Sequence, residues 1–430
     1  MDFFKQSAKE ILRYEARLVL KKYKPKIIVI TGSVGKTSTK EAVFSVLSKR
    51  FFIRKSEKSF TADLGIPMTI IGCPDVISNL FELLKNLIRG LILLIWKTSY
   101  PELLILEIDG DKPGDIPGVA DLIVADLLLM TAIGEIPAHI EAFSDLEVFI
   151  AEKRSILNTL DRTSTIIYNA DDKTVFDIVL KTECKKVSCG IGSGSEISGS
   201  EFQITYGGKE FNIPTGMTFD ISFNENKYPI TVYDTIGVNN EYAFLLAFAT
   251  GIHFGITEKE ILSSLSKFKP IAGRMRLING NKDTIVVDDS YNSSPIAMNQ
   301  ALSAFKQLKT SGKKIIVVGD MLELGKYSAE EHKKIAEQIK GVSFVICVGI
   351  RARKIVQELL KNGFNEASII SVDNSEEASI EIEKILEKGD AVLIKGSQSI
   401  RLEKVVEEIM RHPEDKEKLL VRQEERWQTT

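Results

Sequence analysis

The stretch that decides the fold is residues 27–38, which read Ile-Ile-Val-Ile-Thr-Gly-Ser-Val-Gly-Lys-Thr-Ser. Its apolar half predicts a buried strand, and apolar residues at helical spacing follow over 42–47. A strand, a glycine loop and a helix start therefore occur in the order that phosphate binding requires. Glycines let backbone N–H groups turn toward an anion, and the helix N-terminus adds partial positive charge.

The loop carries two side chains suited to nucleotide chemistry. Lys36 can reach the β- and γ-phosphates, and the Thr37 hydroxyl can ligate Mg²⁺. The spacing between the glycines is shorter than the common pattern, so an ordinary strand–turn–helix is the alternative interpretation. The strand and helix context favours a nucleotide-using enzyme. The other loop residues that we expect to contact the nucleotide are Gly32, Ser33, Gly35 and Ser38.

The composition narrows the class of protein. The 430 residues are 44% hydrophobic and 27% charged, which suits a globular protein of two or three domains. A net charge of −3 gives no general attraction to nucleic acid. Because the four cysteines form no metal-type pair and the N-terminus has no signal-peptide pattern, we expect a cytoplasmic protein with reduced thiols.

Strands that alternate with helices predict an α/β fold with a mostly parallel sheet. The apolar runs expected as strands include 103–108, 122–125, 127–132 and 165–168. Residues 190–235 are rich in glycine, serine and β-formers, which predicts an antiparallel elaboration at one edge of this sheet.

A second α/β pattern begins near residue 270. We therefore expect a phosphate-loop domain with a mostly parallel sheet over 1–268, followed by a Rossmann-like α/β domain over 269–430. The segment 83–96 is apolar, but it is too short and too charged to span a bilayer. A buried or partner-facing helix is favoured there, and a peripheral contact with a membrane surface is left open.

Acidic residues follow the strand predicted at 103–108. Glu107 falls at its carboxyl end, where the active groups of open α/β sheets gather, and a carboxylate there can hold Mg²⁺. Asp109, Asp111 and Asp115 stand nearby, and one of them could substitute. The alternative is a solvated acidic turn.

Three further residues are notable for their positions. His139 follows an apolar strand, although a lone histidine there is more often an ordinary surface residue. Arg274 lies at the expected domain boundary, where a guanidinium can move onto a γ-phosphate or form an interdomain salt bridge. Asp289 follows a strand predicted at 284–287.

With these pieces in order, the chain resembles the Mur ligase superfamily of ATP-dependent amide ligases, and its MurF-type members most. The matching segments occur in the family's order and span most of the chain. They begin at Thr31 (TGSVGKTS), Leu64 (LGIPMTI), Leu106 (LE, then PGDI), Asn169 (NADD), Val287 (VDDSYNSSP), Gly319 (GDMLELG) and Lys395 (KGSQSIR).

The resemblance implies that ATP phosphorylates a carboxylate and that an amine then attacks the acyl phosphate. It implies that Lys36 holds the phosphates and that Thr37 and Glu107 hold one Mg²⁺. His139 would bind a second Mg²⁺ together with Lys153 as its carbamate, since a carbamylated lysine is anionic. A lone lysine on a helix is ordinarily a solvated charge, so the role of Lys153 rests on the resemblance.

The resemblance also implies that Asn240 contacts the adenine, and that Arg274 and Asp289 close over ATP and exclude water. Two departures weaken this match. The family's G-x-H-N-x-x-N-A segment reads GVNNEYA from Gly237, without the histidine and the second asparagine. The usual K-G-S-R ends in Gln398 here.

The largest departure is at the front of the chain. MurF-type enzymes ordinarily carry a UDP-sugar domain before the ATP domain, whereas here the phosphate loop begins at residue 31. Two interpretations stay open. Either the uridine end is held by 83–96 or by 190–235, or the acceptor carries no UDP. The apolar character of 83–96 adds the hypothesis of a lipid-linked or membrane-proximal acceptor.

We expect an ATP-dependent ligase with small-molecule substrates. These are ATP, an amino acid or dipeptide, with D-Ala-D-Ala as the first choice, and the carboxylate of a peptidoglycan precursor. One alternative is a related ligase that acts on a non-UDP acid such as a polyglutamate-like polymer. Another is a nucleotide-binding scaffold without catalysis. A monomer is expected, with no nucleic-acid partner.

Overall fold

The computed structural model describes residues 2–57, 62–73, 80–192, 194–208, 213–424 and 427. Two β-sheets organise this part of the chain. The strands of the first are β1 (Lys26–Thr31), β2 (Ile53–Lys55), β3 (Leu103–Glu107), β4 (Leu127–Met130), β5 (Thr165–Asn169), β6 (Lys185–Ile191), β7 (Ile197–Gly207), β8 (Ile213–Phe223) and β9 (Asn226–Tyr233). Their order is β2-β3-β1-β4-β5-β6-β7-β8-β9.

The first sheet is parallel from β2 to β7 and antiparallel from β7 to β9. The antiparallel part confirms the elaboration predicted for 190–235. Side chains along β1 alternate between two cores. Ile27 and Val29 contribute to one core, and Ile28 and Ile30 contribute to the other, so β1 is buried on both faces.

Helices cover both faces of this sheet. They are α1 (Asp2–Tyr23), α2 (Lys36–Leu47), α3 (Ala62–Ile71), α4 (Leu80–Ile95), α5 (Asp115–Ala120), α6 (Leu146–Arg154), α7 (Lys173–Val179), α8 (Val238–His253) and α9 (Glu258–Leu265). On one face α2 packs against α8, and on the other α1 packs against α3 and α4. Among the described helices, none combines the length and apolar content that crossing a membrane requires.

The second sheet has the strand order β10-β11-β15-β12-β13-β14 and is parallel except for β10. Its strands are β10 (Arg276–Asn279), β11 (Ile285–Asp289), β12 (Lys314–Gly319), β13 (Phe344–Val348), β14 (Ile369–Val372) and β15 (Ala391–Lys395). Its helices are α10 (Pro295–Gln307), α11 (Ser328–Gln338), α12 (Arg353–Lys361), α13 (Ser375–Ile385), α14 (Glu403–Ile409) and α15 (Lys416–Leu419). The predicted α/β class is confirmed, and the exact domain boundary at 268/269 stays a prediction.

One expected strand is wrong. Residues 122–125 form a turn and a loop between α5 and β4. Leu122, Ile123 and Ala125 are buried there, and the Ala125 N–H donates to the carbonyl of Thr159 at 2.8 Å rather than to a neighbouring strand. The apolar run therefore reflects the burial of a loop, which a short sequence window does not distinguish from a buried strand.

Candidate active site

The loop between β1 and α2 lies at the carboxyl ends of the parallel strands, where open α/β sheets bind ligands. Gly32 has a φ of 142°, and a Cβ added to it would lie 2.1 Å from the Thr131 hydroxyl oxygen. Only glycine fits there. The Ser33 N–H donates to the Ala132 carbonyl at 2.7 Å, which ties the loop to the end of β4.

A cleft of about 170 Å³ lies between this loop and the segment that follows β11. The predicted site residues that line it are Ser33, Gly35, Lys36, Thr37, Glu107, His139 and Arg274. The other lining residues are Val34, Asp109, Asp111, Ala138, Tyr291, Asn292, Ser293, Ser294, Ala297 and Gln398. The structure thus brings together side chains from both sheets.

Lys36 begins α2 with its ammonium folded back over the loop. Its Nζ donates to the carbonyls of Gly32 at 3.0 Å and Ser33 at 3.3 Å, and lies 2.9 Å from Asp109 Oδ1. Burial alone would lower the pKa of Lys36, but Asp109 and Glu107 raise it above its ordinary value. The ammonium therefore remains charged in a place that phosphate oxygens can reach.

Glu107 ends β3 with a fully buried side chain held by two partners. The Thr37 hydroxyl donates to Oε1 at 3.0 Å, and Lys40 Nζ lies 2.8 Å from Oε2. The side chain of Lys40 is only 1% exposed. Its buried ammonium compensates the Glu107 charge from the protein side, while Thr37 joins the same carboxylate to the cleft.

His139 contacts the second half of the chain. Its Nδ1 pairs with the carboxylate of Glu323, and its Nε2 lies 3.5 Å from Asp111 Oδ1. The Glu141 N–H also donates to the Glu323 carbonyl at 3.1 Å. Burial alone would lower the pKa of His139, but the hydrogen bond with Glu323 and the nearby Asp111 charge raise it above its usual value.

Lys153 lies on α6, buried behind the cleft lining. Its Nζ stands 5.2 Å from the centre of the Phe149 ring. Burial, reinforced by the Lys36 charge, lowers the pKa of Lys153 to about 8. In the described part of the chain, no hydrogen bond or ion pair links it to His139. The second metal pair therefore stays a prediction.

Arg274 faces the phosphate loop from the other side of the cleft. Its guanidinium stacks 4.1 Å from the centre of the Tyr291 ring. Asp289 lies behind it, because Oδ1 accepts from the Met275 N–H at 3.2 Å and Oδ2 pairs with Lys395 Nζ at 2.7 Å. Asp289 does not line the cleft, so it supports the turn after Arg274. Its contact with nucleotide stays a prediction.

Asn240 is not among the residues that line the cleft. Its amide donates to the Thr235 hydroxyl at 2.7 Å and to the Ile236 carbonyl at 3.2 Å, and the side chain is buried. These bonds fix the start of α8. The adenine contact therefore stays a prediction. Gly32 and Ser38 also lie outside the lining, although both belong to the loop and the first turn of α2.

The site has the donors for one oxygen-bound cation. No group of three or more histidine, cysteine, aspartate or glutamate side chains in the described residues is placed to hold a metal. Thr37 and Glu107, 3.0 Å apart, supply a hydroxyl and a carboxylate. Mg²⁺ typically binds one or two protein oxygens and completes its shell with phosphate oxygens and water. The Thr37–Glu107 pair fits that pattern.

Sequence reasoning missed three residues of the site. Lys40 follows Lys36 by four positions on α2, so helical periodicity could have placed both on one face. Lys395 pairs with Asp289 across β15 and β11, which requires the strand order. Glu323 pairs with His139 although the two are more than 180 positions apart in the sequence. No local sequence pattern predicts this contact.

Residues 30–251, just over half of the chain, match the Mur ligase middle domain. Residues 273–398 match the Mur ligase glutamate ligase domain. The chain belongs to the Mur ligase family.

Several of the similar proteins are MurF ligases by name. The chain is 26% identical over 404 residues to UDP-N-acetylmuramoyl-tripeptide–D-alanyl-D-alanine ligase of Bacillus subtilis, covering 94% of this chain and 79% of that protein. It is 28% identical over 389 residues to the ligase of that name from Rickettsia prowazekii, covering 89% and 78%. The MurF ligase of Thermotoga maritima, solved with ADP, has a TM-score of 0.75 at 22% identity, covering 93% and 83%.

Membership in this family confirms the predicted enzyme class, an ATP-dependent ligase that forms carbon–nitrogen bonds. The Thermotoga maritima structure confirms the predicted fold class. The alternative of a nucleotide-binding scaffold without catalysis is therefore disfavoured.

Proposed function

We propose that this Mur ligase joins the amine of D-Ala-D-Ala to the terminal carboxylate of a peptidoglycan precursor, with ATP cleaved to ADP and phosphate. The observation that carries the proposal is the cleft between the two sheets. It places Lys36, Thr37 and Glu107 on one side and Arg274 on the other. A phosphate chain and an acyl group can meet between them.

The phosphate loop supplies the first part of the reaction. Lys36 now pairs with Asp109 at 2.9 Å. When the triphosphate enters, its oxygens replace Asp109 as partners of the ammonium, and the N-terminus of α2 faces the same anion. Before the nucleotide binds, Asp109 positions the Lys36 ammonium. After binding, Asp109 remains beside the site.

Thr37 and Glu107 would hold Mg²⁺. When bound, the ion neutralises the β- and γ-phosphates and polarises the transferred phosphoryl group. Lys40 and Thr37 fix the Glu107 carboxylate through opposite oxygens, so its orientation is set before any ligand arrives. Preorganised donors of this kind cost little reorganisation during the reaction.

Arg274 completes the charge neutralisation from the second sheet. The acceptor carboxylate oxygen attacks the γ-phosphorus and ADP leaves. The amine nitrogen then attacks the acyl carbon, loses a proton, and expels phosphate as the amide forms. We propose that residues 1–268 and 269–430 act as two domains that close over this cleft, because water would otherwise hydrolyse the acyl phosphate.

Lys153 is proposed to carry a carbamate. Its amine bonds to the carbon of CO₂ and releases one proton, which requires the neutral amine. A pKa of about 8 supports this, since the neutral fraction near neutrality is far greater than for an ordinary lysine. The carbamate would be an anionic oxygen donor close to Asp109, and could hold a second Mg²⁺ with His139.

The acceptor is assigned through the relatives. The ligases of Bacillus subtilis and Rickettsia prowazekii are named for UDP-N-acetylmuramoyl-tripeptide and D-alanyl-D-alanine, and the chain covers more than three-quarters of each. We propose the same substrate pair for this chain, and therefore action in the cytoplasm where such precursors are built.

The test is phosphate release with Mg²⁺ and ATP. UDP-N-acetylmuramoyl-tripeptide and D-Ala-D-Ala are supplied together and each alone, and the mass of the product is measured by mass spectrometry. Release that requires both substrates, with a product that gains the dipeptide and loses water, supports the proposal. A protein that binds ATP but releases phosphate only with an acceptor lacking UDP would overturn the assigned acceptor. Glu107→Gln is the inactive control.

A further inference from the structure

Helix α4 has one apolar face that packs onto α1. The residues on this inner face include Leu83, Gly90 and Leu93, all buried. A Cβ on Gly90 would lie 2.1 Å from Glu15 Oε2, so the two helices approach at this glycine. This close contact fixes the rotation of α4 about its own axis and determines which side chains point outward.

The outward face of α4 is also apolar. Its residues recur at helical spacing and form one continuous strip, which we name the apolar stripe. Each is between 42% and 67% exposed. A single exposed apolar residue is ordinary, whereas a contiguous group marks an interaction surface. The apolar stripe consists of Leu84, Ile88, Leu91, Ile92 and Ile95 of α4 and of Trp96, which directly follows the helix.

The charges along the apolar stripe are mainly basic, and the acidic residue of α4 is Glu82 in its first turn. Lys85 and Arg89 lie one turn apart along its edge, and Lys97 follows Trp96. Between residues 83 and 101 the sequence contains no aspartate or glutamate, although the whole chain has a net charge of −3. Lys22 of α1 adds a fourth cation at this end, since its Nζ donates to the Trp96 carbonyl at 2.8 Å.

We propose that the apolar stripe docks on an anionic lipid surface, with α4 lying in the plane of the interface. Exposed aliphatic residues would enter the headgroup boundary, Trp96 would sit at its level, and the cations would meet lipid phosphates. A second copy of this chain fits less well. A two-fold contact through the apolar stripe would bring Lys85 and Arg89 toward their own counterparts.

The fluorescence of Trp96 tests the proposal in the full chain without any substrate. The chain has two tryptophans, so Trp427→Phe leaves Trp96 as the sole reporter. We expect a blue shift when phosphatidylcholine vesicles containing phosphatidylglycerol are added, and a smaller shift at higher salt. Phosphatidylcholine alone should give little shift. No shift with anionic vesicles would overturn the proposal, and an equal shift with neutral vesicles would overturn the role of charge.

In a co-sedimentation assay, variants at the apolar stripe separate the contribution of its apolar side chains to vesicle binding from that of the neighbouring cations. Ile88→Glu with Ile95→Glu should abolish vesicle binding, and Lys85→Gln should weaken the partition about fivefold. The matched control is Ile350→Glu with Ile380→Glu, two exposed isoleucines outside α4 that are 75% and 57% exposed. It should bind as the parent does.

Light scattering decides between a membrane and a second copy. The proposal predicts that the parent and Ile88→Glu with Ile95→Glu have the same mass in solution. A parent dimer that this double variant dissociates, without vesicle binding by either, would overturn it. Because none of these three assays uses the ligase substrates, failure here leaves the proposed ligase reaction standing.

Discussion

Two buried lysine–carboxylate pairs flank the cleft, one from each sheet, and they serve different purposes. Lys40 and Glu107 pair at 2.8 Å beneath the phosphate loop, and Lys395 and Asp289 pair at 2.7 Å beneath the turn after β11. Glu107 shares its other oxygen with Thr37 of the cleft. The other carboxylate oxygen of Asp289 accepts a hydrogen bond from the backbone N–H of Met275.

The contacts of the two pairs distinguish a carboxylate that can take part in the reaction from one that supports the backbone. Both pairs lie at the carboxyl ends of buried strands, where sequence position alone suggests a ligand contact. Of these four side chains, only Glu107 belongs to the cleft lining. A buried ion pair is in itself weak evidence for stability, so its retention calls for a role, which can be reaction or positioning. Removing each pair completely should distinguish these roles.

The largest effect is expected for Glu107→Gln. Activity should be lost, because the carboxylate that would share Mg²⁺ with Thr37 is gone. Stability should fall by about 3–5 kcal/mol, since Lys40 is left buried without its counter-charge. Phosphate release measures the first loss, and urea denaturation measures the second.

Lys40→Met combined with Glu107→Gln is the matched control for that variant. It removes both buried charges, so most of the lost stability should return. Ligase activity should remain absent. A double variant that recovers activity would contradict a role for the Glu107 carboxylate in the reaction.

Lys153→Ala should lower activity about 10–100-fold, and acetate should restore part of it if a carbamate is the missing group. The pH dependence has a defined sign. Because burial lowers the pKa of Lys153 to about 8, carbamate formation from CO₂ should speed up as the pH rises from 7 to 9. Steady-state rates with acetate, and with chloride as the salt control, provide the check. Full activity of Lys153→Ala would rule out the assignment.

Arg274→Ala should raise the KM for ATP about tenfold, since one cation facing the phosphates is lost. Arg274→Lys should restore little of the lost affinity for ATP, because an ammonium does not stack on Tyr291 as a planar guanidinium does. Tyr291→Phe is the control that keeps the ring and should change the KM less than twofold. An unchanged KM in Arg274→Ala would place this residue outside the nucleotide site.

The smallest effect is expected for Asp289→Asn combined with Lys395→Met. If this pair only supports the turn after Arg274, activity should stay within a few-fold of the parent. Asp289→Asn alone should cost about 3 kcal/mol by leaving Lys395 unpaired. Complete loss of activity in a stable double variant would contradict a purely supporting role and would favour the contact with the nucleotide that the resemblance to the Mur ligases implies for Asp289.

Local sequence signals were enough for the core of the site. The glycine loop and the carboxylate at the end of β3 follow from strand, turn and helix patterns, and the cleft lining contains the loop residues from Ser33 to Thr37 together with Glu107. The strand predicted at 122–125 is wrong because a buried loop can have the same apolar content as a strand. Thr37 could be paired with Glu107 on the expectation that parallel strands end at one edge.

Long-range contacts could not be read from the chain. The partner of His139 is Glu323, and its approach depends on how the two sheets meet. The position of Asp289 behind the cleft depends on β15 lying beside β11, which brings Lys395 opposite it. Neither fact leaves a periodic or compositional trace, since both concern the packing of elements far apart in sequence.

An isotope measurement tests whether the reaction passes through an acyl phosphate. UDP-N-acetylmuramoyl-tripeptide labelled with ¹⁸O in its terminal carboxyl group is incubated with ATP, Mg²⁺ and D-Ala-D-Ala, and the released phosphate is analysed by mass spectrometry. Attack by the carboxylate on the γ-phosphorus predicts that one carboxyl oxygen leaves with each phosphate. Amide product accompanied by unlabelled phosphate would contradict the mechanism.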